Sequence, residues 1–169
     1  MVVVKIEATL PSFTIIAREK ETVRLGDRNL ITGDLKPEVM SKAIACLGRF
    51  KTLAESLGTN SIVAVATSAV RESPNGKEFL HQIEIEVGLI VDLISGPEEA
   101  RRIYLGVLSG MEFNNKPHII IDIGGGSTEL ILGDSEEPRS LTSTKIGAVR
   151  LTGELIASDP ISETEFKYL

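Results

Sequence analysis

The stretch Ile119-Ile120-Ile121-Asp122-Ile123-Gly124-Gly125-Gly126-Ser127-Thr128-Glu129-Leu130-Ile131-Leu132 constrains this chain more than any other. An apolar run enters it, three glycines turn it, and a second apolar run leaves, with an acid on each side of the turn. Consecutive glycines admit positive φ and carry no Cβ, so backbone N–H groups can crowd around an anion. The element after the glycines decides among the folds that use such a turn. A Walker loop needs Gly-Lys-Ser/Thr, and no such lysine is present. A dinucleotide fingerprint needs a further glycine at position 129, which is Glu129, and then a helix. Thr128 to Leu132 instead alternates and is rich in β-formers, so a strand is expected there.

The stretch therefore reads as a β-hairpin. With Gly125-Gly126 as a two-residue turn, Gly124 pairs with Ser127 and Ile123 with Thr128. Asp122 then lies opposite Glu129 on the same face, with Cβ atoms about 5 Å apart. Facing carboxylates repel, and solvent, a shared proton or a divalent cation would offset the repulsion. An ordinary glycine turn with solvated acids is the competing reading.

Composition narrows the class. The 169 residues are 42% hydrophobic and 25% charged, as expected of a folded chain with a real core. Aromatic residues make up 4% with no Trp, which argues against a base-stacking surface for nucleic acid. A formal charge of −6 argues against general binding to nucleic acid or an anionic membrane. An anionic substrate stays compatible, because a metal ion and a few local arginines can reverse the field in a cleft. The lone Cys46 excludes an internal disulfide and is expected in the core. No run reaches transmembrane length, and a cytoplasmic location is the default expectation.

Val2 to Glu7 and Ser12 to Arg18 read as a strand pair turning at Leu10-Pro11, with Val23 to Leu25 as a third strand. Pro37 suits a first helical position, and apolar spacing carries that helix to Leu57, where Gly58 stops it. Strands are expected at Ser61–Ala66 and Leu89–Ile94, and helices from Pro74-Asn75-Gly76 to Val87 and from Ser95 to about Met111. After the hairpin come a strand from Pro138 to Ile146, a helix after Gly147, and another after Ser162. The order gives an α/β fold with a mixed sheet. Asn114-Asn115-Lys116-Pro117 is the candidate linker, dividing the chain into 1–116, a first domain, and 117–169, the beginning of a second.

Other residues stand out by position. Ser95 and Glu98 have capping-box spacing, which gives Glu98 a structural task and leaves Glu99 without one. Glu99 comes just after a strand, where α/β folds place ligands, and a carboxylate there can act as general base toward water. Acids also favour helix N-termini for electrostatic reasons alone. Arg71 comes after another strand and could fork onto phosphate oxygens, or be simply exposed. Lys145 and Gly147 lie at the end of the last strand, where Gly147 could bring backbone close to an anion. His81 and His118 have no partner at metal or triad spacing and are expected at the surface.

At these residues the chain resembles the exopolyphosphatase and guanosine pentaphosphate phosphohydrolase family, of the actin, Hsp70 and sugar-kinase fold superfamily. The resemblance rests on Ile121 to Glu129 and on Ile94-Ser95-Gly96-Pro97-Glu98-Glu99-Ala100-Arg101. Thr67-Ser68-Ala69-Val70-Arg71 and Ile146-Gly147-Ala148-Val149 reinforce it. It implies that water attacks a terminal phosphoryl group of inorganic polyphosphate or of guanosine pentaphosphate. By the same resemblance Glu99 is the general base, and Asp122 and Glu129 hold Mg²⁺ and help position the water. Gly124, Gly125, Gly126, Ser127, Thr128, Gly147 and Arg71 contact phosphate, and a homodimer is the family-level expectation for a full-length protein. A non-catalytic phosphate or alarmone sensor using the same cleft is the alternative of another class. Family members begin with an Asp-x-Gly-Ser/Thr-Asn-Ser loop, whereas Met1-Val2-Val3-Val4 resembles the strand just after it. The expectation is a fragment that lacks this loop and most of the second domain, and is inactive alone.

Overall fold

The computed structural model describes residues 1–7, 12–29, 31–114 and 116–168. Strands β1 (Val2–Glu7) and β2 (Ser12–Arg18) pair antiparallel, as expected; their Leu10-Pro11 connection lies outside the described residues. No third strand forms at Val23–Leu25. Arg24 has φ 59°, a left-handed conformation that breaks an extended run despite its β-forming neighbours.

Helix α1 (Pro37–Ser56) starts at a proline whose missing N–H would have no helical partner anyway, and the chain leaves it through Gly58 at φ +71°. Val39, Met40, Ala43, Cys46 and Ala54 are its buried residues, so Cys46 is a core side chain. Strand β3 (Ala64–Ala66) is shorter than the sequence suggests. The residues after it form a short helix, α2 (Ser68–Arg71), and then α3 (Gly76–Val87). Strand β4 (Val91–Leu93) pairs parallel with β3, and α4 runs from Gly96 to Leu108, ending one turn before Met111. Leu35, Met40, Ala43, Val70, Phe79, Ile83 and Leu89 form the first core between these helices and strands.

Strands β5 (His118–Ile123), β6 (Thr128–Gly133) and β7 (Pro138–Thr144) form an antiparallel sheet in that order. Helices α5 (Ala148–Leu155) and α6 (Glu163–Phe166) complete the described chain. The mixture of parallel and antiparallel pairing confirms the α/β class. Helix α4 packs on β6 and β7 through Ala100, Tyr104, Phe113 and Ile131, with Ile120 and Leu141 alongside. The buried Tyr104 hydroxyl donates to the Asp134 carbonyl at 2.7 Å, which satisfies its polar end. His118 is not simply surface: its ring stacks on Phe113 with centroids 4.4 Å apart. Strand alternation puts Ile120, Asp122, Ile131 and Glu129 on the face toward α4, while Ile119, Ile121 and Ile123 on the other face are exposed.

Gly48 offers a simple test of the α1 assignment. It lies inside the helix, and a Cβ there would meet nothing within 4 Å. Gly48→Ala is expected to stabilise the chain by about 0.5–1 kcal/mol, by removing conformational freedom from the unfolded state. Chemical denaturation measures this; a loss of stability would mean that the helix is wrongly placed.

Candidate active site

The hairpin has the register its sequence implies. Ile123 pairs with Thr128 and Asp122 with Glu129, and the Gly124 N–H donates to the Ser127 carbonyl at 2.9 Å. Ser143 on β7 is the next residue in the same row and donates from Oγ to Glu129 Oε1 at 2.7 Å. Asp122 is exposed, whereas Glu129 is 1% exposed.

The glycines differ from expectation in one respect. The described glycines with positive φ are Gly33, Gly58 and Gly88, and none of the turn is among them. The turn instead requires space. A Cβ on Gly126 would lie 2.6 Å from Ser68 Oγ, and one on Gly147 would lie 2.5 Å from the Gly125 carbonyl oxygen. Gly147 thus brings its backbone against the turn itself. Thr128 donates from Oγ1 to the Ile146 carbonyl, and Ser127 is buried.

Glu99 enters from α4. Ser95 Oγ accepts from the Glu98 N–H at 3.3 Å and caps the helix. The Glu98 carboxylate is held by Arg101 at 2.7 Å and Arg102 at 2.8 Å, and these hydrogen bonds lower its pKa to about 2. Glu98 is therefore a structural residue. Glu99 lies 3.4 Å from Arg71 Nη1, which also donates to the Ile94 carbonyl at 2.7 Å. Burial, and then the negative charge of Glu129, push the Glu99 carboxyl above its ordinary value, against the opposing pull of Arg71 and the Thr67 hydroxyl. The start of α4 sits directly on β7: a Cβ on Gly96 would come within 2.5 Å of Ser143 Cβ. Arg71, Glu99, Ser143 and Glu129 are thereby brought together from α2, α4, β7 and β6.

An open cleft of about 590 Å³ adjoins this group and is lined by Arg28, Arg71, Lys145 and Arg150 around Glu72. Glu72 pairs with Arg150, accepts from Ser68 Oγ at 3.2 Å, and lies 3.9 Å from Lys145 Nζ. Burial alone would raise its pKa, but the bond and charge of Arg150, with Lys145 and Ser68, outweigh burial and lower it. Arg28 donates to the carbonyls of Ser68 at 3.1 Å and Glu72 at 3.3 Å. Burial and then the like charge of Arg150 lower the pKa of Arg28, as expected where cations crowd one cleft. Sequence reasoning found Arg71 and Lys145 but missed Arg28, Glu72 and Arg150. Only the position of Arg150, shortly after Gly147, hinted at a role. A second depression of about 590 Å³ between α1 and α3 holds Glu78 and Glu86 with no cation in its lining.

Two carboxylates in register, one buried and one exposed, suit a hard cation. Mg²⁺ commonly takes one or two protein carboxylates and fills its other positions with water and substrate phosphate. Among the described residues, no group of three or more His, Cys, Asp or Glu side chains gathers as a closed metal cage would require. Asp122 and Glu129 are the paired carboxylates that could hold such a cation, with water filling its other positions.

The chain belongs to the Ppx/GppA phosphatase family, whose model matches residues 2–169. It is 34% identical over 147 residues to exopolyphosphatase 1 of Mycobacterium leprae, covering 87% of this chain and 43% of that protein. It is also 34% identical over 169 residues to the guanosine-5'-triphosphate,3'-diphosphate pyrophosphatase of Pseudoalteromonas atlantica, covering 98% of this chain and 32% of that one. The crystal structure of an exopolyphosphatase from Cytophaga hutchinsonii superposes with a TM-score of 0.91 at 29% identity, over 99% of this chain and 53% of that one. The chain thus spans less than half the length of these two curated relatives. Among the described residues, no helix is long and apolar enough to cross a membrane.

Proposed function

We propose that this chain carries the catalytic half-site of an exopolyphosphatase, a phosphoanhydride hydrolase that removes terminal phosphate from inorganic polyphosphate. The observation that carries the proposal is the convergence of Glu99, Glu129, Ser143 and Arg71 at the edge of the cationic cleft. The cationic lining suits a polyanion and raises its local concentration. Glu99, partly buried and with a raised pKa, accepts the proton of an attacking water. Arg71 holds Glu99 in place and offers its remaining donors to phosphate oxygens. The Gly124–Thr128 turn contacts the phosphoryl group, while Gly147 supports the turn from behind. Asp122 and Glu129 would hold Mg²⁺, which when bound supplies charge neutralisation to the phosphate oxygens.

Family membership and the likeness to exopolyphosphatases support this reading, as does the cleft. The pyrophosphatase relative supports guanosine pentaphosphate as a second substrate of the same site. The test uses the chain expressed with any coding sequence that flanks it. Phosphate release from long-chain polyphosphate and from guanosine pentaphosphate is measured with Mg²⁺, and again after chelation. Release from either substrate is expected to fall to background on chelation and return with added Mg²⁺. Activity indifferent to chelation would refute the metal assignment, and tight binding without any release would point to a sensor.

A further inference from the structure

Each carbonyl of the glycine turn is held from the α5 side. The Gly124 carbonyl accepts from the Ala148 N–H at 2.9 Å, and the Gly125 carbonyl from the Arg150 N–H at 3.0 Å. The Gly126 carbonyl accepts from Arg150 Nε at 3.1 Å. In a planar trans peptide, the C=O of one residue and the N–H of the next point in opposite directions. Holding three successive carbonyls toward α5 therefore turns the N–H groups of Gly125, Gly126 and Ser127 to the other side. The first two holds are backbone bonds, available to many sequences at this position. The third depends on one side chain.

That side chain is itself held. The Arg150 guanidinium pairs with Glu72, whose other carboxylate oxygen accepts from Ser68 Oγ at 3.2 Å. Arg28 ties the backbone carbonyls of Ser68 and Glu72. Ser68 Oγ is also the atom that leaves no room for a Cβ on Gly126. Arg150 and Glu72 are mostly buried, with side chains 20% and 13% exposed, so the pair is a fixed part of the fold rather than a surface ion pair.

We propose that Arg150 is a positioning residue for phosphate binding. It fixes the Gly126–Ser127 peptide plane so that the turn presents N–H groups to phosphate oxygens, and Glu72 holds Arg150 in that pose. This rests on the reading that the glycine turn takes phosphate. It goes beyond that reading by assigning the orientation of the turn to a pair of residues, Glu72 and Arg150, that lie 78 positions apart.

Two variants, with Arg150→Met alone as the reference for melting, separate positioning from stability. Arg150→Lys keeps a cation for Glu72 but lacks the planar fork needed to reach the Gly126 carbonyl at the same time. The double variant Glu72→Gln with Arg150→Met removes both charges, so no buried ion is left unpaired. Both are compared with wild type by melting temperature, by calorimetric binding of tripolyphosphate, and by KM and kcat for phosphate release. In both, tripolyphosphate Kd and KM are expected to rise about tenfold or more, the scale of one charge-assisted hydrogen bond, with kcat changing less. The melting temperature of the double variant is expected to exceed that of Arg150→Met alone, without recovery of binding. Recovery of wild-type Kd along with melting temperature would overturn the proposal and leave Arg150 a structural role. If wild type binds tripolyphosphate but does not hydrolyse it, the proposed reaction fails and the cradle stands; if wild type does not bind it, both fail.

Discussion

Glu99→Gln is expected to lower kcat for phosphate release by about 10²–10⁴-fold, the usual worth of a positioned general base, while tripolyphosphate binding stays close to wild type. Gln keeps the shape of the side chain and can still meet Arg71, but it cannot take a proton from water. The pH profile carries a second signature. Burial first and the Glu129 charge second raise the Glu99 carboxyl above its ordinary 4.5. In the metal-free protein that carboxyl is therefore expected to titrate above this value, and the titration to be absent from the variant. Stability should move the other way. A carboxyl whose folded pKa exceeds its unfolded one contributes stability below the unfolded pKa, and that contribution is lost as pH rises through the folded pKa. At pH 7 the wild type has lost it, whereas Gln never ionises. Glu99→Gln is thus expected to melt no lower than wild type at pH 7, with its relative advantage shrinking as pH falls through the folded pKa and gone below the unfolded one. Undiminished turnover in this variant would remove Glu99 from the mechanism; a marked fall in melting temperature would mean that its bond to Arg71 outweighs its burial beside Glu129.

The parts of this site that are legible in the sequence are those governed by short-range rules. Alternation of period two on both sides of a glycine turn fixes which residues share a face, so the Asp122–Glu129 pairing needs no tertiary information. The Ser95 cap of α4 is likewise legible from spacing, although the Glu98 carboxylate is tied to Arg101 and Arg102 instead of closing a capping box. The illegible parts depend on distant segments. Glu72 and Arg150 are 78 residues apart and Arg28 is 44 residues from Glu72, and each taken singly looks like an ordinary exposed charge. Val23–Leu25 misleads because β-propensity says nothing of the left-handed conformation that Arg24 adopts. The glycines mislead in a different way. They suggest positive φ, but the constraint is contact with Ser68 and Gly147, which no local pattern reveals.

That distinction makes Gly147→Ala a severe single-methyl change at the site. Gly147 has φ −142° and ψ 153°, extended backbone that alanine adopts without strain, so any effect must come from space. The added Cβ would lie 2.5 Å from the Gly125 carbonyl oxygen and 2.5 Å from the Gly126 carbonyl carbon. Both are backbone atoms, so no rotamer change relieves the contact, and either the turn or the start of α5 must shift. Shifting α5 breaks the bonds from Ala148 and Arg150 to the turn; shifting the turn moves the residues between Asp122 and Glu129. Overpacking of this kind costs up to about 3 kcal/mol, or about 6–12 °C in melting temperature for a chain of this size. A displacement of about 1 Å at the turn should also cost about 10²-fold in phosphate release. Gly153→Ala is the matched control, since a Cβ there meets nothing within 4 Å in the same helix, and it is expected to leave both measurements near wild type or slightly improved. Thermal melts and phosphate release on the two variants, side by side, decide the matter. Equal behaviour would mean that the turn and α5 are not in contact, and the peptide orientation inferred for Gly126 would fall with that contact.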